Sequence, residues 1–169
     1  MNSEMLQSFE GQVIQVDRHG PHTVVGKLLY VGDDFFVLLT KKDGVVFFQT
    51  HHVKSVTTDS KDPMEFDVYV DEDFEFHKGK KFKDICGHLI HHWVKINPEK
   101  IEGVLDGVCD DYVTIIKNKE IIYVNLFHIR NMNYGLMAPE EDNENEGNSG
   151  NSNNNNNNSG RSRRRRRNN

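Results

Sequence analysis

Two stretches of this chain of 169 residues follow the same order of residue types, and that internal repeat constrains the fold more than any other feature. Val13–Asp17 matches Trp93–Asn97, and Pro21 through Gly26-Lys27-Leu28 matches Pro98 through Gly103-Val104-Leu105. Asp33-Asp34-Phe35 then matches Asp110-Asp111-Tyr112, and His52-Val53-Lys54 matches His128-Ile129-Arg130. The offset falls from 80 to 77 between Asn97 and Pro98, and to 76 between Ile116 and Ile121. Both length changes sit in turn-like sequence, where a chain absorbs them without disturbing strands.

Within the first copy, β-branched and aromatic runs predict strands at Val13–Val16, Val24–Val31, Phe35–Leu39, Val45–Phe48 and Val53–Val56. Lys42-Asp43-Gly44 supplies a hairpin position with positive φ, and Gly26 and Gly103 sit in mid-strand, where a glycine lets a strand bend sharply. Five short strands per copy predict an all-β fold of two tandem small barrels. Phe82, Ile85, Cys86, Leu89 and Ile90 recur at helical spacing ahead of the second copy, and Met5, Leu6 and Phe9 do so more weakly ahead of the first. The expected organisation is a first barrel over 1–57, an acidic linker over 58–81, a second barrel over 82–137 and a tail over 138–169. In the linker, Phe66, Val68 and Val70 alternate with polar positions, which reads as an extra strand, an extended clamp, or an acidic connection with a few apolar residues.

No apolar residue follows Ala138, so the tail cannot build a core and is expected to be disordered: an acidic block, an Asn/Ser/Gly stretch and the run Arg161–Arg167. Its six arginines against five acids leave the body with 15 basic and 21 acidic residues, within an overall net charge of −5. An acidic body lacks the basic face that phosphate neutralisation needs, so nucleic acid is expected to meet this chain only non-specifically, through the arginine run. No membrane partner is expected. There is no basic and apolar leader at the N-terminus and no apolar run of membrane-spanning length, which fits synthesis and retention in the cytoplasm. Cys86 falls on the apolar side of the predicted helix and Cys109 at a turn; together they form no disulfide framework, although Cys109 is placed for cross-linking between chains.

The nine histidines invite a metal reading, since His88 and His92 have the spacing that begins a zinc site. Trp93 opens a strand, however, and no His-Glu-x-x-His or paired Cys-x-x-Cys completes the set, so no metal and no cofactor is expected. Asp33-Asp34 and Asp110-Asp111 fall at equivalent turns, where Asp bonds local backbone, and no nucleophile stands beside a base. The chain is therefore read as non-catalytic, with no catalytic residues. The candidate interaction residues are His51, His52, Lys54, His128 and Arg130 near the last strand of each copy, with Arg163, Arg164, Arg165, Arg166 and Arg167 in the tail.

Several of these motifs resemble one family. The Gly-Pro loop leading to Gly26-Lys27-Leu28, then Asp43–Phe48 and His51–Val56, is similar to the spore coat protein B family of endospore-forming bacilli. In the second copy Gly87-His88-Leu89-Ile90, Trp93–Asn97, Glu102-Gly103 and Phe127-His128-Ile129 resemble its last repeat, so the likeness runs from about residue 6 to 133. It implies a structural protein of the spore coat, made in the mother-cell cytoplasm, whose partners are other coat proteins or further copies of itself. A helix followed by a small barrel also resembles the Sm/SH3-like fold, and Ile129-Arg130-Asn131 is similar to the Ile-Arg-Gly signature of Sm-like RNA-contacting loops. An Sm-like nucleic-acid-binding module with an Arg-rich tail is the alternative that this second likeness implies.

Overall fold

The computed structural model describes residues 1–62, 64–70 and 74–134. The expected disorder of the tail and the run Arg163–Arg167 fall outside them, as do Pro63 and Asp71–Asp73 of the linker. Helix α1 (Ser3–Gln7) leads into β1 (Val13–Val16), β2 (Val24–Val31), β3 (Phe35–Thr40), β4 (Gly44–Gln49) and β5 (Val56–Thr57). Helix α2 (Phe82–His88) leads into β6 (Trp93–Asn97), β7 (Ile101–Val108), β8 (Tyr112–Lys117), β9 (Glu120–Asn125) and β10 (Asn131–Tyr134). The described chain is all-β apart from these short helices and two single turns of 3-10 helix, Thr50–His52 and Leu126–His128.

Local chemistry sets the boundaries. The Asn2 carboxamide oxygen accepts from the Glu4 N–H at 2.8 Å and caps α1. The Asp84 carboxylate accepts from the N–H groups of Lys80 and Lys81 at 3.1 and 2.9 Å, tying the chain that enters α2. Gly44 takes the positive φ of +62° that turns β3 into β4, and Asn118 at +56° does the same between β8 and β9. A Cβ on Gly26 would run into the Leu39 carbonyl and one on Gly103 into the Ile116 carbonyl, so each glycine lets the neighbouring strand approach.

All ladders are antiparallel and run in one order, β5-β1-β2-β3-β4-β10-β6-β7-β8-β9. The second five strands therefore follow the order of the first. The sheet is not closed: among the described residues β5 pairs with β1 and β9 with β8, while the outer edge of β4 is taken by β10. In that central joint Asn131 lies opposite Phe48, Met132 opposite Phe47 and Asn133 opposite Val46.

The joint gives β3 and β4 two buried faces. Phe36, Leu38, Val46 and Phe48 pack with Leu6, Ile14 and Leu28 in one core. Their alternates Phe35, Val37, Leu39, Val45 and Phe47 pack in a second core with α2 and the strands after it. Strands covered on both sides read as continuous apolar runs, as β3 does, whereas β9 is mostly exposed. Burying each phenylalanine contributes roughly 1.5–3 kcal/mol, which makes this face a large part of what holds the two sets of strands together.

Two local expectations change. The predicted strand Val53–Val56 shortens to Val56–Thr57, because a 3-10 turn takes Thr50–His52 and the N–H groups of Lys54 and Ser55 bond to Asp17 instead of a ladder. Helix α2 stops at His88, with Leu89 as its cap, so His88 and His92 do not share a helix face. In the linker, residues 64–70 form no strand; Phe66, Val68 and Val70 lie against the second core and Lys41 pairs with Asp67 at 2.7 Å, an exposed contact worth little by itself.

Candidate functional site

The candidate residues of the folded part converge where β4 meets β10. There the β1–β2 loop, the two 3-10 turns and the loop after β6 line a cleft of about 420 Å³ that includes His52, Lys54, His128 and Arg130. His51 is not among the residues that line it.

Asp17 organises this region. Its φ of +54° turns the chain out of β1, and its Oδ1 accepts from the N–H groups of Lys54 and Ser55 at 2.7 and 3.3 Å. Its Oδ2 accepts from Arg130 Nη2 at 2.7 Å, and the same guanidinium donates to the His22 carbonyl at 2.8 Å. Both residues are only 8% exposed, and the Arg130 guanidinium lies 5.5 Å over the Phe48 ring. This ion pair crosses the joint, from the entry of β10 to the end of β1. A pair so placed is expensive to leave half-made, since either partner alone would be a buried charge.

Burial by itself would raise the Asp17 carboxyl; the hydrogen bond and charge of Arg130 and the two backbone N–H bonds outweigh it and hold the group below the usual carboxylate range. Because the folded-state value is depressed, its stabilisation is complete above the unfolded value of about 3.9 and is lost as pH falls through the folded value. We expect acidification from about pH 5 to 3 to lower the urea midpoint more for the native chain than for Asp17→Asn. Equal slopes for the two chains would contradict this.

His51 and His52 both point Nε2 at the Phe127 carbonyl, at 3.2 and 2.6 Å. A carbonyl only accepts, so each ring must carry its proton on Nε2 in this contact. The His51 ring also stacks on Phe127 with centroids 5.1 Å apart. Lys54 and His128 are among the residues lining the cleft, and the tail arginines lie outside the described residues.

One central residue was not legible as a site residue. Gln49, buried at the end of β4, donates from Nε2 to the carbonyls of Leu126 at 2.8 Å and Ile129 at 2.6 Å, and its N–H donates to the Arg130 carbonyl at 3.1 Å. The available signal was a lone amide closing the apolar run Val45–Phe48. Asn97 Nδ2 donates to Asn131 Oδ1 at 2.9 Å on the other side of β10. Polar side chains here are largely committed to holding backbone.

The remaining candidates have structural surroundings. Asp34 accepts from the Phe82 N–H at 2.7 Å and, through its own carbonyl, from the Thr50 N–H at 2.9 Å. Cys86 is fully buried and its thiol is pushed up to about 12 by burial, which leaves it without thiolate character near neutrality; Cys109 is partly exposed. His77 sits 5.7 Å from His88 and 6.2 Å from His92 by ring centroids, its basicity lowered by burial and then by the two neighbouring rings. Among the described residues no group of three or more His, Cys, Asp or Glu is arranged to hold a metal ion. None of the described helices is long and apolar enough to cross a membrane.

Fold and site together define an all-β protein in which two like-ordered sets of five strands share an edge-to-edge joint stitched by buried polar groups. Spore coat protein B of Bacillus subtilis (strain 168) is 34% identical to the chain over 139 residues, 79% of this chain and 36% of that protein. The chain belongs to the spore coat protein B-like family, and spans little more than a third of that relative's length. No family model matches the chain, and neither does any solved structure.

Proposed function

We propose that the chain is a non-catalytic structural component of the bacterial endospore coat, assembling through protein contacts. The observation that carries this reading is its relationship to spore coat protein B. The site supports it: Arg130, Gln49, His51 and His52 are engaged with carbonyls or a carboxylate, an arrangement that builds a joint and offers a substrate little. In the finer reading each set of five strands is an open Sm-like small barrel, the two are diverged copies of one module, and module boundaries fall near residues 57 and 82. The partners are other coat proteins, and the tail with Arg163–Arg167 adds charge-driven attraction to acidic neighbours.

The test is a fluorescent fusion followed through sporulation, beside the coats of spores lacking the gene. Recruitment to the forespore surface and an altered coat are expected; a fusion that stays diffuse, with coats unchanged, would refute the role.

The basic lining of the cleft, with His22, His52, Lys54 and His128, is the observation that favours the Sm-like nucleic-acid reading. Against it, the guanidinium of Arg130 is spent on Asp17 and the His22 carbonyl. An RNA mobility shift that survives deletion of Glu140–Asn169 would favour the nucleic-acid reading, and one lost with the tail would reflect only charge.

A further inference from the structure

We propose that copies of this chain add head to tail, the β9 edge of one pairing antiparallel with the β5 edge of the next in the register that β4 and β10 already hold. The proposal rests on the reading of the two strand sets as equivalent modules and deepens the assembly role.

The sheet carries its own template. In the order β5-β1-β2-β3-β4-β10-β6-β7-β8-β9 the last strand of the second set pairs with the fourth strand of the first, which among the described residues leaves the first set's last strand, β5, and the second set's fourth strand, β9, as the two ends. These are the same two kinds of edge that meet inside the chain. Transferring the internal register puts Val56 of one copy opposite Tyr123 of another, as Met132 lies opposite Phe47, and Thr57 opposite Ile122, as Asn133 lies opposite Val46.

Exposure marks the same surfaces. Ile121 and Tyr123 are 59% and 67% exposed, whereas Val45 and Phe47, which hold the corresponding places in β4, are 8% and 0% exposed under the joint. On the other side of the internal joint, Ile85 of α2 is fully buried against that face; Met5 holds its place in α1 and is 41% exposed. Both partners of a second joint therefore present apolar groups whose counterparts are buried in the first. Sheet edges open to solvent are ordinarily blunted by charge, yet across Glu120–Asn125 only Glu120 is charged.

The polar lock differs in a way that sets the strength. Lys54 stands where Arg130 stands, and Asn97 where Asp17 stands, so the joint between copies lacks the buried ion pair of the internal one. Its association is accordingly reversible and rises with concentration. The contact is heterologous, so copies add until they close a ring or continue as a filament.

Sedimentation velocity of the full chain should show a mass that grows with concentration. Changing both Ile121→Lys and Tyr123→Lys, exposed positions that leave the fold intact, should raise the concentration for half-association by about tenfold or more. For the register, Cys109→Ser chains carrying Val56→Cys are mixed with Cys109→Ser chains carrying Tyr123→Cys and oxidised. Disulfide dimers should form in the mixture and not in either chain alone. A native chain monomeric throughout, association unaffected by the lysines, or cross-linking of either chain with itself would overturn the proposal. A monomeric chain that still reaches the spore coat would sink the joint and leave the coat role standing, and a self-associating chain absent from the coat would do the reverse.

Discussion

Arg130→Ala is expected to cost about 3–5 kcal/mol of folding stability, because it strands the Asp17 carboxylate in a buried site without its cation. The guanidinium also donates to the His22 carbonyl and covers the Phe48 ring, and both contacts go with it. Urea unfolding at neutral pH reads the loss. Arg130→Lys should recover only part of it, since an ammonium lacks the fork that reaches Asp17 and His22 together. Lys54→Ala, at the matching place in the first set but with an exposed side chain, should change stability by less than about 0.5 kcal/mol. A loss at Arg130 under about 1 kcal/mol, the range of exposed ion pairs, would show that the pair is not the lock described here.

Phe47→Ala and Tyr123→Ala form the second pair of expected results. Phe47 is fully buried, stacked near Tyr134 with centroids 5.9 Å apart and near Phe35 at 6.4 Å, so truncation leaves a cavity in the second core. Aromatic truncations of this kind cost about 3–5 kcal/mol. Tyr123 holds the corresponding position in the second set but stays exposed beside Tyr112, and its truncation in dilute solution should cost well under about 1 kcal/mol. Chemical unfolding of the two variants at low protein concentration checks the difference. Similar losses at both positions would mean that β10 does not cover Phe47 as it does in this sheet.

The contrast between those two side chains also shows what the sequence could convey. Strands β1 and β2 were legible to the residue, and β3 and β4 nearly so, because β-branched and aromatic runs end at turn residues with a physical role, such as Gly44. The helix before the second set was legible from its spacing, but not its end, because Leu89 and Ile90 continue the apolar pattern after the helix has stopped at His88. Strand β5 was misplaced, since nothing local announces that the N–H groups of Lys54 and Ser55 bond to a carboxylate 37 and 38 residues away.

The joint itself was not legible. A pairing between Phe48 and Asn131 leaves no periodicity in either segment, and the apolar run Phe35–Leu39 of β3 reads equally well as the wall of an isolated barrel. For the same reason the sequence ranked Lys54 with Arg130, and only three-dimensional structure distinguishes them: Arg130 faces Asp17 across the joint, whereas Lys54 opens onto the cleft. Gln49 escaped notice because its partners, the Leu126 and Ile129 carbonyls, belong to the other set.

Native-state hydrogen exchange tests the joint most directly. Amides along Val46–Phe48 and Asn131–Asn133 should be among the slowest in the protein, opening only with global unfolding, while those of β5 exchange early from the end of the sheet. If the Asn131–Asn133 amides instead open well before the cores unfold, the two sets of strands come apart independently and the shared joint is not what holds this protein together.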